Sequence, residues 1–180
     1  MADNNIIRYT GGHLQKVRNQ IAITNKLLLD NDEHLAKEYF NKGRDCCFKL
    51  KDYNESIKNY SKAIKLKPDY YQAYSQRGVA HFYLKDYYSA INDLTEFISL
   101  KPNIAGGYFE RGNMRHFSKD FNGAIEDYNK AIEINPLYAD AYYFRSLSKK
   151  AIGENESSFK DLNQAAKFGN KKAKEMINSL

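Results

Sequence analysis

The chain contains three prolines, Pro68, Pro102 and Pro136, and they stand 34 residues apart. Each closes a run of one kind: AIKLKP, FISLKP and AIEINP. A step of 34 brings further positions into register. Tyr53, Tyr87 and Phe121 align, as do Ser56, Ala90, Ala124 and Ser158, then Tyr60, Leu94, Tyr128 and Leu162. Tyr74, Tyr108 and Tyr142 recur likewise, followed four residues later by Gly78, Gly112 and Ser146. Such recurrence restricts the fold to an array whose units bury their apolar faces against one another, because no unit can do so alone.

Each unit reads as two helices. Apolar residues at helical spacing follow the turn aromatic, and Asp52, Asp86 and Asp120 precede the second helix where a carboxylate can cap its free N–H groups. The proline ends that helix, since the residue before a proline is pushed out of the helical region. The fixed small residues mark close helix approach. The units are 37–70, 71–104, 105–138 and a degenerate fourth, 139–170, with Asn155 in place of the turn aromatic and Asn170 in place of the proline. A closing helix is expected over 171–180, with Ala173, Met176 and Ile177 covering the array end. In unit one Gly43 lies one residue early relative to Pro68, so the spacing predicts that Gly43 takes the small-residue site and that an extra residue is absorbed before Asp52 as a longer turn or bulge.

A 34-residue helix pair with aromatic, Gly, Tyr, Ala and Pro in this order resembles the tetratricopeptide repeat, over residues 37–170. The resemblance implies an all-α, right-handed α-solenoid and a non-enzymatic protein-protein interaction role. In that family the first helices line a concave groove that takes a peptide segment or helix of another protein. Carried over position by position, the groove residues are Phe40, Arg44, Gln76, Val79, Tyr83, Phe109, Asn113, Phe117 and Tyr143. Some of these positions can equally pack between neighbouring first helices. Asn113 suits paired contacts to a peptide backbone, and the aromatics suit shallow apolar pockets. Co-chaperones of this family clamp a chaperone tail's terminal carboxylate with Lys, Asn and Arg. Here the matching positions hold Phe40, Arg44, Gln76, Gly106 and Glu110, which argues against such a clamp.

Residues 13–31 form an amphipathic helix outside the repeat, with Leu14, Val17, Ile21 and Leu28 on one stripe. Residues 1–12 read as a flexible tail, and DNDE at 30–33 as a break before unit one. That helix can cap the array, pair with another copy as a homodimer, or occupy a groove; assembly into a homo-oligomeric scaffold is the alternative function. No catalytic set is evident. The four histidines fall in different units, and Cys46 and Cys47 are adjacent, so neither cofactor nor metal is expected. The formal charge of +6 divides as +4 over residues 37–70 and +3 over 139–180, with the middle close to neutral. A nucleic-acid binder would show a continuous basic stripe, and this chain does not. Without a span of ~18 apolar residues or a secretory leader, a cytoplasmic location away from membrane is expected.

Overall fold

The computed structural model describes the chain from Asp3 to Ser179, and side chains from His13 onward. Helix α1 (Asp3–Asp45) is followed by a π-helical turn (Cys46–Leu50), then α2 (Tyr53–Leu66), α3 (Tyr71–Tyr83) and α4 (Tyr87–Leu100). α5 (Ala105–Phe117), α6 (Phe121–Ile134), α7 (Ala139–Ala151), α8 (Asn155–Lys167) and α9 (Lys171–Asn178) complete it. Consecutive helices pack as hairpins and each hairpin stacks on the next, giving an α-solenoid. The second helices start as the sequence dictates. Asp52, Asp86 and Asp120 accept from the backbone N–H groups of Glu55, Ser89 and Gly123 at 2.9, 3.1 and 3.0 Å. Just before each cap the chain must reverse, and Lys51, Lys85 and Lys119 do so with positive φ, as Gly153 does in the fourth repeat.

The core is a row of small residues against larger ones. Ala63, Ala73, Ala80, Ala90, Ala124, Ala131 and Ala141 are fully buried, and so are Tyr60 and Tyr128. Gly43 occupies the small-residue site of repeat 1. A Cβ built there would lie 2.8 Å from the Tyr60 ring, and one at Gly112 would lie 2.7 Å from Tyr128. The extra residue is absorbed by the π-helical turn, where the bonding lengthens by one residue per turn and shifts the register back. Arg44, one position on, is exposed.

A second periodic feature ties repeats together. Arg77, Arg111 and Arg145 each hold an aspartate of their own second helix, Asp93, Asp127 and Asp161, with a shortest contact of 2.6 Å in all three. The same guanidinium also reaches the preceding repeat, at Ser61 Oγ (2.9 Å), Thr95 Oγ1 (3.1 Å) and Asn129 Oδ1 (2.6 Å). A planar five-donor group can bridge both partners at once, which an ammonium cannot. Stacking of the arginines over Tyr74, Tyr108 and Tyr142 holds them in place.

Two expectations at the N-terminus are corrected. DNDE at 30–33 is no break, because α1 runs unbroken from Asp3 into repeat 1. Asp and Asn lower helix propensity by only a few tenths of a kcal/mol each, and no proline interrupts the ladder. The expected flexible tail is helical from Asp3 onward, and Met1 and Ala2 lie outside the described residues. Nor does the segment cap the array: residues 13–30 are exposed throughout. At the other end, Asn170 caps α9 by accepting from the Ala173 N–H at 2.8 Å. Ala173, Met176 and Ile177 then cover Leu162 and Ala165, while Lys171, Lys172 and Lys174 face water.

Candidate functional site

The first helices of the repeats carry the anticipated groove residues, and packing divides these into two sets. Phe40 is taken up by packing within repeat 1, and Phe109 by packing within repeat 3 and against repeat 4. The Phe40 ring lies 5.0 Å from Tyr70 and 5.6 Å from Tyr60. Phe109 sits 4.8 Å from Tyr138 and 5.8 Å from Phe144. Both are half-buried. Asn113 is partly engaged as well, its Oδ1 accepting from the Tyr128 hydroxyl at 2.8 Å. Gln76 and Val79 are half-buried on α3. Tyr143 packs beside Leu162 and Ala173 at the C-terminal end. It lines a 350 Å³ cleft with Asp140, Phe144, Asn170, Lys171 and Lys172.

Tyr83 and Phe117 behave differently. They are 52% and 45% exposed, yet their rings are held by aromatic neighbours. Tyr83 stacks on Tyr53 at 4.7 Å with the planes 9° apart. Phe82 bridges the two repeats, lying 5.8 Å from Tyr83 and 5.3 Å from Phe117. Tyr87 stacks on Phe117 at 6.4 Å. The result is a band running across repeats 1, 2 and 3 at the ends of α3 and α5. Exposed aromatic rings with fixed orientation lose little conformational entropy on binding and offer large contact area. Tyr53 and Tyr87 were readable as recurring turn aromatics, but spacing alone assigns them to packing. Their role as the platform under Tyr83 and Phe117 depends on the turn geometry.

Polar groups behind the band are neutral or restrained. His116 shares a 2.8 Å hydrogen bond with Ser148 Oγ and packs edge-on against Phe117, Phe121 and Phe144, and burial lowers its pKa so that the ring is neutral at pH 7. The Glu110 carboxylate accepts from Ser75 Oγ at 3.3 Å, and burial raises its pKa above the ordinary carboxylate value. Neighbouring Tyr138 is pushed up to about 12, first by burial and then by the Glu110 charge. Cys47 is buried and its thiol is raised by desolvation, the opposite of what a reactive thiolate needs. Among the described residues no group of three His, Cys, Asp or Glu side chains is placed to hold a metal ion. No described helix is long and apolar enough to cross a membrane.

The family follows from the matches to known repeats. The model described as TPR repeat matches residues 45–85 and 112–145, and the one described as Tetratricopeptide repeat matches 71–104. The chain belongs to the tetratricopeptide repeat family. Its fold is similar to the crystal structure of MamA, at a TM-score of 0.72 and 25% identity over 97% of this chain and 98% of that one. It is also similar to the first TPR domain of human RPAP3, at a TM-score of 0.63 and 26% identity over 70% of this chain and 98% of that one. A third structure is the first TPR of Spaghetti (RPAP3) bound to the HSP90 peptide SRMEEVD, at a TM-score of 0.63 and 25% identity, covering 67% of this chain and 94% of that one. No curated protein matches the chain in sequence.

Proposed function

We propose that this tetratricopeptide chain is a non-enzymatic adaptor that captures a peptide segment of another protein through its apolar side chains. The observation that carries this reading is the band of Tyr83 and Phe117, half exposed and yet fixed on Tyr53, Phe82 and Tyr87. Elsewhere on the first helices the aromatics are occupied by packing, as at Phe40 and Phe109. Asn113 keeps its amide Nδ2 as a donor for a peptide carbonyl, while its Oδ1 is occupied by Tyr128. A peptide with two or three apolar residues would cover the band, and truncating a fixed aromatic anchor removes 2 kcal/mol or more, roughly, of binding free energy.

The likeness to a repeat bound to SRMEEVD does not extend to the anchoring chemistry. Glu110 and Gly106 occupy positions at which a carboxylate clamp requires cations, and neither can supply one. Selection of a displayed random-peptide library on the purified chain, followed by calorimetry, tests the reading. The expected peptides are rich in apolar residues and lose affinity at least about tenfold against Tyr83→Ala with Phe117→Ala. SRMEEVD is expected to give no saturable heat. Selected peptides that bind the double variant as tightly as the intact chain would refute the site.

A further inference from the structure

A run of exposed apolar side chains lies outside the repeats. Along α1, Leu14, Val17, Ile21 and Leu28 are 57, 42, 54 and 58% exposed. Leu14, Ile21, Leu28 and Leu35 follow one another at intervals of seven, with Val17 between the first two. A seven-residue apolar recurrence keeps one seam of a helix turned toward a partner helix, which a solvent-facing helix has no reason to maintain. The seam has a clear upper limit. Leu35 is half-buried and Ala36 fully buried where α1 enters repeat 1. The second helix of that hairpin, α2, ends at Leu66, and the next residue, Lys67, is ion-paired with Glu33. From His13 to Asn31 α1 is exposed on every side.

One geometric argument and two observations bear on what covers the seam. A helix continuing the line of α2 would run antiparallel to α1, as α2 does. The charges of the segment are unevenly divided, with Lys16 and Arg18 giving its first half +2 and Lys26, Asp30 and Asp32 giving its second half −1. Two such segments side by side in parallel set like against like, whereas antiparallel they set the basic end of each beside the acidic end of the other. Finally, α1 is one continuous helix of 43 residues, so its outer half cannot fold back into the groove of its own chain.

We propose that residues 13–32 of α1 pair with the same segment of a second copy, antiparallel, to form an isologous homodimer. The segment is about 30 Å long. Centred near Ala22, the pairing sets Leu28 beside Val17 of the partner subunit and Ile21 beside Thr24 of the partner subunit. The paired segment shares no residue with the aromatic band of either copy.

Sedimentation equilibrium of the full chain over a range of concentration tests this. The expected mass rises from the 20.9 kDa of one chain to twice that value. Ile21→Asp with Leu28→Asp is expected to hold the mass at one chain throughout, with helical content and melting of the repeats retained. Lys16→Glu with Arg18→Glu should weaken the dimer at least about tenfold at low salt, and adding Asp30→Lys and Asp32→Lys to that same chain should restore it. Tyr83→Ala with Phe117→Ala should leave it intact. A wild-type monomer at all concentrations overturns the proposal. So does a dimer indifferent to Ile21→Asp with Leu28→Asp, or a charge-swapped chain that fails to recover, which would exclude the antiparallel arrangement. A dimer lost with the Tyr83 and Phe117 variant would place the segment in a neighbour's groove instead, also against it.

Discussion

In repeats 2, 3 and 4 an arginine of the first helix holds a buried aspartate of the second and a polar side chain of the repeat before it. Repeat 1 has Lys42 and Asn59 at the two positions. Lys42 is exposed and lies over the Tyr39 ring, and Asn59 donates within its own helix to the Glu55 carbonyl at 2.8 Å. Nothing polar in that pair joins α1 to α2. The π-helical turn also lies in repeat 1. A shared spacing therefore does not imply a shared stability. Repeat arrays hold together through nearest-neighbour terms, and here one term is weaker at the N-terminal end, where local opening should begin.

Removing the buried acid from one repeat and its counterpart from the other separates the two repeats most. Asp127 is 3% exposed at its side chain and meets both Arg111 and Arg115. Asp127→Ala should lower the urea unfolding free energy by about 3 kcal/mol, because it deletes a buried charge partner and leaves two guanidinium groups short of an acceptor. Asn59→Ala should remove only about 1 kcal/mol, the loss of one ordinary hydrogen-bonded side chain. Equal losses at the two sites would mean that the ladder contributes no more than local bonds do.

A second test divides the repeats along another line. The added methyl of Gly43→Ala or Gly112→Ala meets a tyrosine ring at under 3 Å and should destabilise by about 2 kcal/mol. At Gly78 the nearest atom is 3.4 Å away, since Leu94 replaces the tyrosine, so Gly78→Ala should be neutral or raise stability by about 0.5 kcal/mol through helix propensity. Thermal melts of the three variants check it. Ser146, which already carries a Cβ, stands opposite a leucine as well, Leu162, and fits the same rule.

Smaller effects sharpen the picture at the turns. Lys119 holds φ 68°, where repeat 4 uses Gly153. Lys119→Gly should therefore raise stability by about 1 kcal/mol, read from the denaturant midpoint. Glu110→Gln should act least, and its sign depends on pH. Burial raises the folded-state pKa of Glu110, so folding favours the protonated form. Its contribution to stability is fully present below the unfolded carboxylate pKa and is lost as pH rises through the raised folded value. The glutamine variant should match the parent near pH 4 and melt about 2 °C higher at pH 7.

Much of this architecture was legible in the residues. Pro68, Pro102 and Pro136, the capping Asp52, Asp86 and Asp120, and the displaced Gly43 forecast the helix pairs and the bulge. The arginine ladder carried the same signal, since Arg77, Arg111 and Arg145 stand 34 apart, as do Asp93, Asp127 and Asp161. Its cross-repeat reach to Ser61, Thr95 and Asn129 was not legible, because neither Ser, Thr nor Asn repeats by identity. The binding face was the least readable part. Helical angle places Phe40 and Phe109 with Tyr83 and Phe117 on one side, and only the stacking of neighbours shows which rings are consumed.

The period, the ends of the second helices and the family could be read from the residues alone, because these rest on local preferences that a proline, a capping carboxylate or a small residue states on its own. Only the folded array shows that α1 continues unbroken through DNDE with residues 13–31 exposed, that Phe109 is half-buried against its neighbours while Phe117 remains open, and that Glu110 is partly withdrawn from water. Each of these depends on what a neighbouring repeat supplies or withholds. Burial is a property of pairs of surfaces, and a linear pattern specifies only one member of each pair.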